Sequence, residues 1–305
     1  MLTIAVVCAC TPADETAGQP AGRTSSLVGN LEDKKIDEAS GLARSQIDPG
    51  QFWVVNDDGP AVLHAIDSTG AELGHVKISK TDNRDWEDLA SFSLDGIPYL
   101  LVADIGDNDG KRKDVRISVV EEPDPGESKV KTAWSFEFRY PDRPRDAEAV
   151  SVDIANERIL ILTKRDIPAV LFSVPLKPDS GKRQTATRLG AISSLPQPSR
   201  RDVQFAAKSD DYYWQPTSMD ISDDNSKAII LTYGGVYLFH REPGDDWLDA
   251  LQRQAVVVSR TRNRQAESVA FNTTGDAIYI TLEQRNAPLF RLKLHTAPAN
   301  GDSAR

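Results

Sequence analysis

The feature that most constrains this sequence is a short motif that occurs five times. In each copy a Ser, Thr or Glu is followed by any residue, then by an aliphatic residue or Met, and usually by a small residue. Copies separated by about 50 to 70 residues and built from strands are typical of propeller blades. The copies begin at Ser40, Glu87, Glu148, Thr217 and Glu267.

The segments around each motif are short and rich in β-branched and aromatic residues, and polar turns separate them. Two such runs follow each motif and one precedes it; the run before the first motif, at residues 26–30, would complete the last unit and close the ring. The sequence therefore predicts an all-β chain that forms a single β-propeller of five blades over residues 26–296. Six blades and an all-β sandwich are the alternatives. One short helix is predicted, at 247–254.

Composition excludes several classes of function. The chain has 305 residues, with 36 Lys and Arg against 46 Asp and Glu, and its net charge of -10 argues against nucleic acid as a partner. Two cysteines near the start provide no disulfide framework, and four histidines without HExxH spacing do not predict a zinc site. No GxSxG is present, so a serine triad is not favoured.

The N-terminus is apolar and ends in Val7-Cys8-Ala9-Cys10, which is similar to the lipobox of bacterial lipoproteins. On this interpretation residues 1–10 are the end of a signal, Cys10 carries the lipid and residues 11–25 form a flexible tether. We expect a monomer in the bacterial cell envelope, periplasmic or at the surface, that contacts the membrane only through this anchor; a frayed terminus on a secreted protein is the alternative. Residues 297–305 are expected to form a disordered tail.

In a propeller the first strand of each blade lines the central channel, so the five motif residues are expected to form one ring at one mouth. Carboxylates about 4 Å apart repel by about 4 kcal/mol per pair at an effective dielectric of about 20. A cation among them, or protonation, would relieve this repulsion. An all-oxygen ligand set suits Ca²⁺, with Mg²⁺ less suited; otherwise the Glu residues cap strands or pair with arginines. The predicted ligands are Ser40, Glu87, Glu148, Thr217 and Glu267.

Loops that gather at the same mouth carry further polar residues. Asp57, Asp58 and Asp104 are the candidates for orienting or deprotonating a water molecule. Arginines there suit a phosphate or carboxylate group of a small anionic substrate, or they pair with neighbouring aspartates and only order the loops. Trp86, Tyr212, Tyr213 and Trp214 would form a stacking platform or pack between blades. The candidate substrate-binding residues are Arg84, Arg143, Arg145, Arg165, Arg262 and Arg285.

The order Ser, Glu, Glu, Thr, Glu resembles the five-bladed calcium-activated nucleotidases, or soluble apyrases. The likeness rests on Ser40-Gly41-Leu42-Ala43 with the following Asn56-Asp57-Asp58-Gly59, on Trp86-Glu87-Asp88-Leu89-Ala90, and on Glu148 and Glu267. Thr217 stands where that family has Ser. The resemblance implies a central Ca²⁺ and hydrolysis of nucleoside diphosphates, and it follows the repeats from about residue 36 to 294. Phytase-like and gluconolactonase-like six-bladed propellers are looser matches.

Two functions remain open at this point. One is hydrolysis of a phosphate ester or anhydride, in which the cation offsets charge on the substrate and the arginines hold its remaining oxygens. The other is a non-catalytic envelope-anchored propeller that binds a ligand or an envelope protein and keeps Ca²⁺ for structure. Fold alone does not separate them.

Overall fold

The structure is a computed structural model that describes residues 25–178, 183–209, 211–260 and 262–294. The predicted lipobox with Cys10, nearly all of the predicted tether and the C-terminal tail lie outside the described residues. Within those residues, no helix is long and apolar enough to cross a bilayer.

The described strands form antiparallel units in which each strand pairs with the next one along the chain. We number these units blades 1 to 5. Blade 1 contains β2 (Ala39–Arg44), β3 (Gln51–Asn56), β4 (Val62–Asp67) and β5 (Glu72–Ser79), and blade 2 contains β6 (Trp86–Leu94), β7 (Ile97–Asp104), β8 (Val115–Glu121) and β9 (Lys129–Arg139). Blade 3 contains β10 (Ala147–Asp153), β11 (Arg158–Thr163), β12 (Val170–Pro175) and β14 (Thr187–Ala191), and blade 4 contains β15 (Pro216–Ile221), β16 (Lys227–Thr232), β17 (Gly235–His240) and β18 (Val256–Ser259). Blade 5 contains β19 (Ala266–Phe271), β20 (Ala277–Leu282), β21 (Pro288–Lys293) and β1 (Ser25–Asn30).

The blades are arranged in a ring. Each inner strand, β2, β6, β10, β15 and β19, contacts the inner strands of both neighbouring blades, so the contacts close on themselves. The N-terminal strand β1 pairs antiparallel with β21 and supplies the outer strand of blade 5. The predicted all-β propeller, with its ring closed by the N-terminal strand, is therefore confirmed.

Blades 1 and 2 are joined at their outer edges, which the sequence pattern did not predict. Strand β9 pairs parallel with β5, from Lys77 opposite Lys129 to Ser79 opposite Lys131. The short strand β13 (Gln184–Thr185) then pairs parallel with the far end of β9. These pairings cover edges that would otherwise leave backbone groups open to other chains.

The hydrophobic core lies between blades, because each sheet presents an apolar face to its neighbour. Between blades 1 and 2, for example, Trp53 and Leu63 pack with Trp86 and Leu100, and the exposed fraction of all four side chains is at most 1%. Burying a large apolar side chain stabilises a fold by about 1.5–3 kcal/mol. The aromatic and aliphatic residues of the repeats thus hold the ring of blades together.

Two α-helices lie in the connections. Helix α2 (Trp247–Gln252) agrees with the predicted helix, and the side chain of Asp246 caps it by accepting a hydrogen bond from the Leu248 N–H at 2.9 Å. Helix α1 (Arg200–Ser209) was not predicted and corrects the expectation of a loop there. A capping box begins it: Ser199 Oγ accepts from the Asp202 N–H, and the Asp202 carboxylate accepts from the Ser199 N–H.

A fully buried carboxylate lies among the inner strands, one residue beyond the ring residue Glu87. Asp88 on β6 accepts hydrogen bonds from the Val150 N–H of blade 3 and from the Met219 N–H and Ser218 hydroxyl of blade 4. Burial raises the pKa of Asp88 well above its ordinary value. Asp88 thus links the inner strands of blades 2, 3 and 4. We call the end of the channel where the inner strands begin the acidic mouth, and the other end the opposite mouth.

Candidate functional site

Each motif residue occupies the same special backbone position. It is the second residue of its inner strand, and the pairing with the second strand of the blade shifts register there. Such a shift marks a β-bulge, which redirects a side chain and is common beside active sites. The bulges place the predicted ring at the start of the inner strands, at the acidic mouth: Ser40, Glu87, Glu148, Thr217 and Glu267.

Three carboxylates crowd together at this mouth. Glu87, Asp146 and Glu148 are all buried, and each offers an oxygen within 4.8 Å of the others. Burial, and then the charge of Glu148, raises the pKa of Glu87 well above its ordinary value; burial does the same for Glu148. Glu148 Oε2 has no hydrogen-bond partner among the described residues. Three buried carboxyl groups in contact thus favour protonation or an added cation at this point.

The fourth buried acid of the mouth is Glu267. Its carboxylate accepts a hydrogen bond from the Tyr233 hydroxyl at 2.5 Å. Burial raises the pKa of Glu267 to about 7, although the bond from Tyr233 and the charge of Lys164 act in the other direction. Tyr233 is therefore a neutral donor to this carboxylate, and the pKa of its hydroxyl is raised by burial and by Glu267.

One positively charged side chain, Lys164, lies among these acids. The sequence analysis did not single it out. The Lys164 ammonium forms a buried ion pair with Glu148 and lies 5.2 Å from the centre of the Tyr233 ring. Burial alone would lower the pKa of Lys164, but Glu148 and Glu267 outweigh it and the pKa is raised well above its ordinary value. The Lys164 ammonium thus lies among the buried carboxylates of Glu87, Glu148 and Glu267.

The two hydroxyl members of the ring also tie neighbouring blades. Ser40 Oγ donates to the carbonyl oxygen of Trp86 at 2.6 Å, and Thr217 Oγ1 donates to the carbonyl oxygen of Ala266 at 2.7 Å. Each bond joins one inner strand to the next. Because the hydroxyls donate to carbonyls, their oxygen lone pairs remain available to a cation.

The three candidate bases have different surroundings. Burial, and then the charges of Glu38 and Glu283, raises the pKa of Asp57 to about 7, and Asp57 Oδ1 has no hydrogen-bond partner among the described residues. Asp58 is exposed. Asp104 is buried in an ion pair with Arg112, whose Nη2 lies 2.5 Å from its carboxylate. Only Asp57 combines partial burial, a raised pKa and an unpartnered oxygen.

Three of the predicted arginines surround one cavity of about 250 Å³ beside the acids. Arg143 and Arg145 both pair with Asp166, and Arg145 also pairs with Asp142 at 2.5 Å. Arg165 pairs with Asp146, the same carboxylate that belongs to the buried cluster. Arg145 is buried, and its Nε has no partner among the described residues. Asp146 therefore borders both the acid cluster and the arginine-lined cavity.

The remaining predicted arginines lie apart from this cavity. Arg84 is exposed, Arg262 pairs with Asp211 at 2.9 Å and stacks on Tyr213, and Arg285 pairs with Asp37 at 3.0 Å. The predicted stacking platform is corrected in part. Trp86 and Trp214 are only 1% and 5% exposed, so they pack inside the protein, the alternative interpretation, and do not present a ring to a ligand.

The oxygen atoms at the mouth fit a divalent cation. Two ligands of one Ca²⁺, each at about 2.3–2.6 Å, lie at most about 5 Å apart, and the cluster of Glu87, Asp146 and Glu148 meets this limit. Gly106 passes close to these acids: a Cβ there would lie 2.1 Å from Glu87 Oε1 and 2.4 Å from the Asp85 carboxyl carbon. Only glycine leaves room for the carboxylates in this arrangement.

The candidate base Asp57 and several site residues that the sequence analysis did not single out follow a positional rule. Asp57, Lys164, Tyr233 and Glu283 each come directly after the second strand of a blade. Glu38, Asp85 and Asp146 each come directly before an inner strand. Antiparallel neighbours bring these positions to the same mouth, so the predicted strand ends already contained the signal for Lys164 and Asp146.

Comparison with known proteins gives distant structural likenesses. No family model matches the chain, and no curated protein matches it. A Bacteroides uniformis protein assigned as a candidate 6-phosphogluconolactonase is 15% identical, with a TM-score of 0.42 over 86% of this chain and 69% of that one. A luciferin-regenerating enzyme is 9% identical, with a TM-score of 0.45 over 90% and 98%. The nidogen–laminin complex gives 12% identity and a TM-score of 0.44 over 81% and 73%. The likeness to calcium-activated nucleotidases stays a prediction from the sequence.

Proposed function

We propose that the protein is a calcium-binding β-propeller that hydrolyses a phosphate ester or anhydride at the acidic mouth. The observation that carries this proposal is the placement of all five motif residues on β-bulges around buried carboxylates. Four buried acids pair with two cationic side chains, Lys164 and Arg165, so a divalent cation would balance the charge that remains.

The residues that would hold the cation are Glu87, Glu148 and Asp146, with Glu267, Ser40 and Thr217 completing the ring. Glu148 Oε2 is buried and unpartnered within the described part of the chain, which suits a ligand atom. When bound, Ca²⁺ would offset the negative charge of substrate phosphate oxygens. Mg²⁺ demands a more regular octahedral shell and keeps several water molecules, so this irregular set favours Ca²⁺.

Asp57 is the residue we assign to proton transfer. A general base works best when its pKa lies near the working pH, and the pKa of Asp57 is raised to about 7. Its loop adjoins the ring, because the Trp86 N–H donates to the Asp57 carbonyl oxygen at 2.8 Å. Asp57 would accept the proton of an attacking water molecule, while Asp104 stays committed to Arg112.

The arginine-lined cavity is the place we assign to the anionic part of the substrate. Arg143, Arg145 and Arg165 present guanidinium groups next to Asp146, so a phosphate bound there would lie beside the cation ligands. Binding requires these arginines to exchange some of their carboxylate contacts for phosphate contacts. The substrate class is therefore small phosphate esters and anhydrides, nucleoside diphosphates among them.

The test is turnover by the full chain with Ca²⁺, using p-nitrophenyl phosphate, ADP and UDP as substrates. We expect Asp57→Asn to lower kcat by at least about 100-fold, since general-base catalysis contributes 10²–10⁴-fold. Asp58→Asn is the matched control at the exposed neighbour and should retain activity. No Ca²⁺-dependent turnover of these substrates, or equal activity of both variants, would contradict the proposal.

One observation favours a second candidate, a non-catalytic propeller that binds a ligand. Arg143, Arg145 and Arg165 all pair with carboxylates, as the alternative interpretation of the sequence expected. In that case Ca²⁺ would only stabilise the fold. Calcium binding without turnover, together with retention of an envelope protein that depends on Arg143 and Arg165, would favour this candidate.

A further inference from the structure

A second cavity lies at the opposite mouth, where the inner strands end. Its volume is about 320 Å³, which is in the range of small-molecule sites. Residues of blades 1 to 4 contribute to its wall. The lining includes Arg44, Gln46, Ser91, Phe92, Ile154 and Asn225.

One guanidinium contacts two carboxylates in and behind this wall before any ligand arrives. Arg44 extends from blade 1 to blade 4, where it pairs with Asp220 at 2.7 Å and with Asp223. Asp223 Oδ1 also accepts a hydrogen bond from Gln46 Nε2 at 3.0 Å. The guanidinium is only 3% exposed, so it offers no open positive charge to an anion. The cavity therefore does not suit a phosphate or a carboxylate.

One residue of the cavity lining, Asn225, carries a buried donor that has no partner among the described residues. The Trp247 indole N–H donates to Asn225 Oδ1 at 3.0 Å, which fixes the orientation of the amide. Asn225 Nδ2 is buried and has no hydrogen-bond partner among the described residues. An amide N–H buried without an acceptor costs about 1–3 kcal/mol. A ligand that supplies an acceptor here would recover that energy.

Acceptors and apolar surface complete the wall. Ser91 Oγ accepts from Gln46 Nε2 at 3.2 Å, which leaves the Ser91 proton for a ligand. Asp223 is 37% exposed and holds Arg44 and Gln46 through Oδ1, so Oδ2 is open to a donor. Phe92 and Ile154 line the cavity beside these polar groups. The wall combines donors, acceptors and apolar surface without an unmatched positive charge.

We propose that the opposite mouth binds a small neutral polyhydroxy compound of monosaccharide size. Hydroxyl groups both donate and accept, so one ligand of this class satisfies Asn225 Nδ2, Ser91 and Asp223 Oδ2 together. The C–H face of a sugar ring would pack on Phe92 and Ile154. An amine offers donors alone and would leave Asn225 Nδ2 without an acceptor. This site is independent of the proposed hydrolysis at the acidic mouth.

The experiment is isothermal titration of the full chain with D-glucose, D-galactose, D-mannose and myo-inositol, and with putrescine as the amine probe. We expect saturable binding of at least one polyhydroxy probe with a Kd of about 1 mM or tighter. Asn225→Asp should weaken that binding at least tenfold, because it keeps the acceptor for Trp247 but replaces the unpartnered donor. Ser91→Ala should weaken it as well.

The matched control is Asn108→Asp, an exposed change at the acidic mouth that should leave binding unchanged. Circular dichroism and thermal unfolding would check that Asn225→Asp folds; Ser91→Ala serves if it does not. Absence of binding by every polyhydroxy probe, binding of putrescine alone, or equal affinity in wild type and both cavity variants would overturn the proposal.

Discussion

The two mouths of the channel differ in how far cationic side chains compensate their buried carboxyl groups. At the acidic mouth, Glu87, Glu148 and Glu267 face one ammonium, and burial raises the pKa of all three carboxyl groups. At the opposite mouth, Arg44 is buried between two carboxylates and holds blades 1 and 4 together. One guanidinium contacts both carboxylates at the opposite mouth, whereas three buried carboxyl groups share one ammonium at the acidic mouth and favour protons or an added cation. This difference is why we propose the cation site at the acidic mouth.

The largest expected effect on stability comes from removing the buried ion pair of Arg44 with Asp220 at the opposite mouth. Arg44→Ala leaves Asp220 buried, at 7% exposure, without its ion-pair partner. Removing one member of a buried pair costs about 3–5 kcal/mol, so the free energy of unfolding should fall by that amount in urea denaturation. Arg285→Ala, which removes an exposed pair with Asp37, is the control and should change stability by less than about 1 kcal/mol. A loss below about 1 kcal/mol for Arg44→Ala would show that the pair does not hold the blades.

Removing the Lys164 ammonium tests whether this side chain competes with Ca²⁺ for the carboxylates of the acidic mouth. Lys164→Met should lower stability without Ca²⁺ and raise the affinity for Ca²⁺ at least about 10-fold, because ammonium and cation compete for the same carboxylates. Calorimetric titration with Ca²⁺ measures this. Lys111→Met, at an exposed ion pair, should leave affinity unchanged. A weaker affinity in Lys164→Met would mean that the lysine supports the site rather than competing for it.

The next test moves the carboxylates of the acidic mouth without changing their charge. In Gly106→Ala the new Cβ would meet Glu87 and Asp85, so the carboxylates must move and the affinity for Ca²⁺ should fall about 10-fold or more. Gly50→Ala is the control, since a Cβ there has ordinary contacts. Unchanged calcium affinity in Gly106→Ala would place the cation away from Glu87.

The smallest expected effect on stability comes from the buried pair of His64 and Asp33, which lies outside both mouths. Burial lowers the pKa of His64, and hydrogen bonds from the Lys35 N–H and from His64 lower that of Asp33 although burial opposes this. The unfolded state therefore takes up protons more readily than the folded state, and the contribution of the pair is present above pH 6.5 and lost as the pH falls. We expect the free energy of unfolding to drop by about 1 kcal/mol between pH 7.5 and 5.

Urea denaturation of His64→Gln at the two pH values isolates this contribution. Because glutamine does not titrate, the variant should lose less stability on acidification than the wild type does. An equal loss in both proteins would assign the acid sensitivity to other groups whose pKa is lowered in the folded state; the carboxyl groups of the acidic mouth have raised pKa values and act in the opposite direction.

The repeats made the fold and the ring predictable, because strand alternation and the motif are local patterns. The sequence also placed the motif residues at one mouth, but the bulge that aims them depends on pairing with the second strand. Helix α1 was missed although Ser199 and Asp202 form a capping box. The ion pair of Arg145 with Asp166 and the cavity at the opposite mouth join residues distant in the chain, so no local pattern marks them, whereas the pair of Arg145 with Asp142 is local.

Thermal unfolding of the full chain in EDTA, Ca²⁺ or Mg²⁺ tests the central claim most directly, since a cation that binds only the folded state raises its stability. We predict a rise in Tm that is selective for Ca²⁺ and is lost in Glu148→Gln, with the exposed substitution Glu121→Gln as control. No shift with either cation, or the same Ca²⁺-dependent shift in Glu148→Gln, would contradict a cation site among the carboxylates of the acidic mouth.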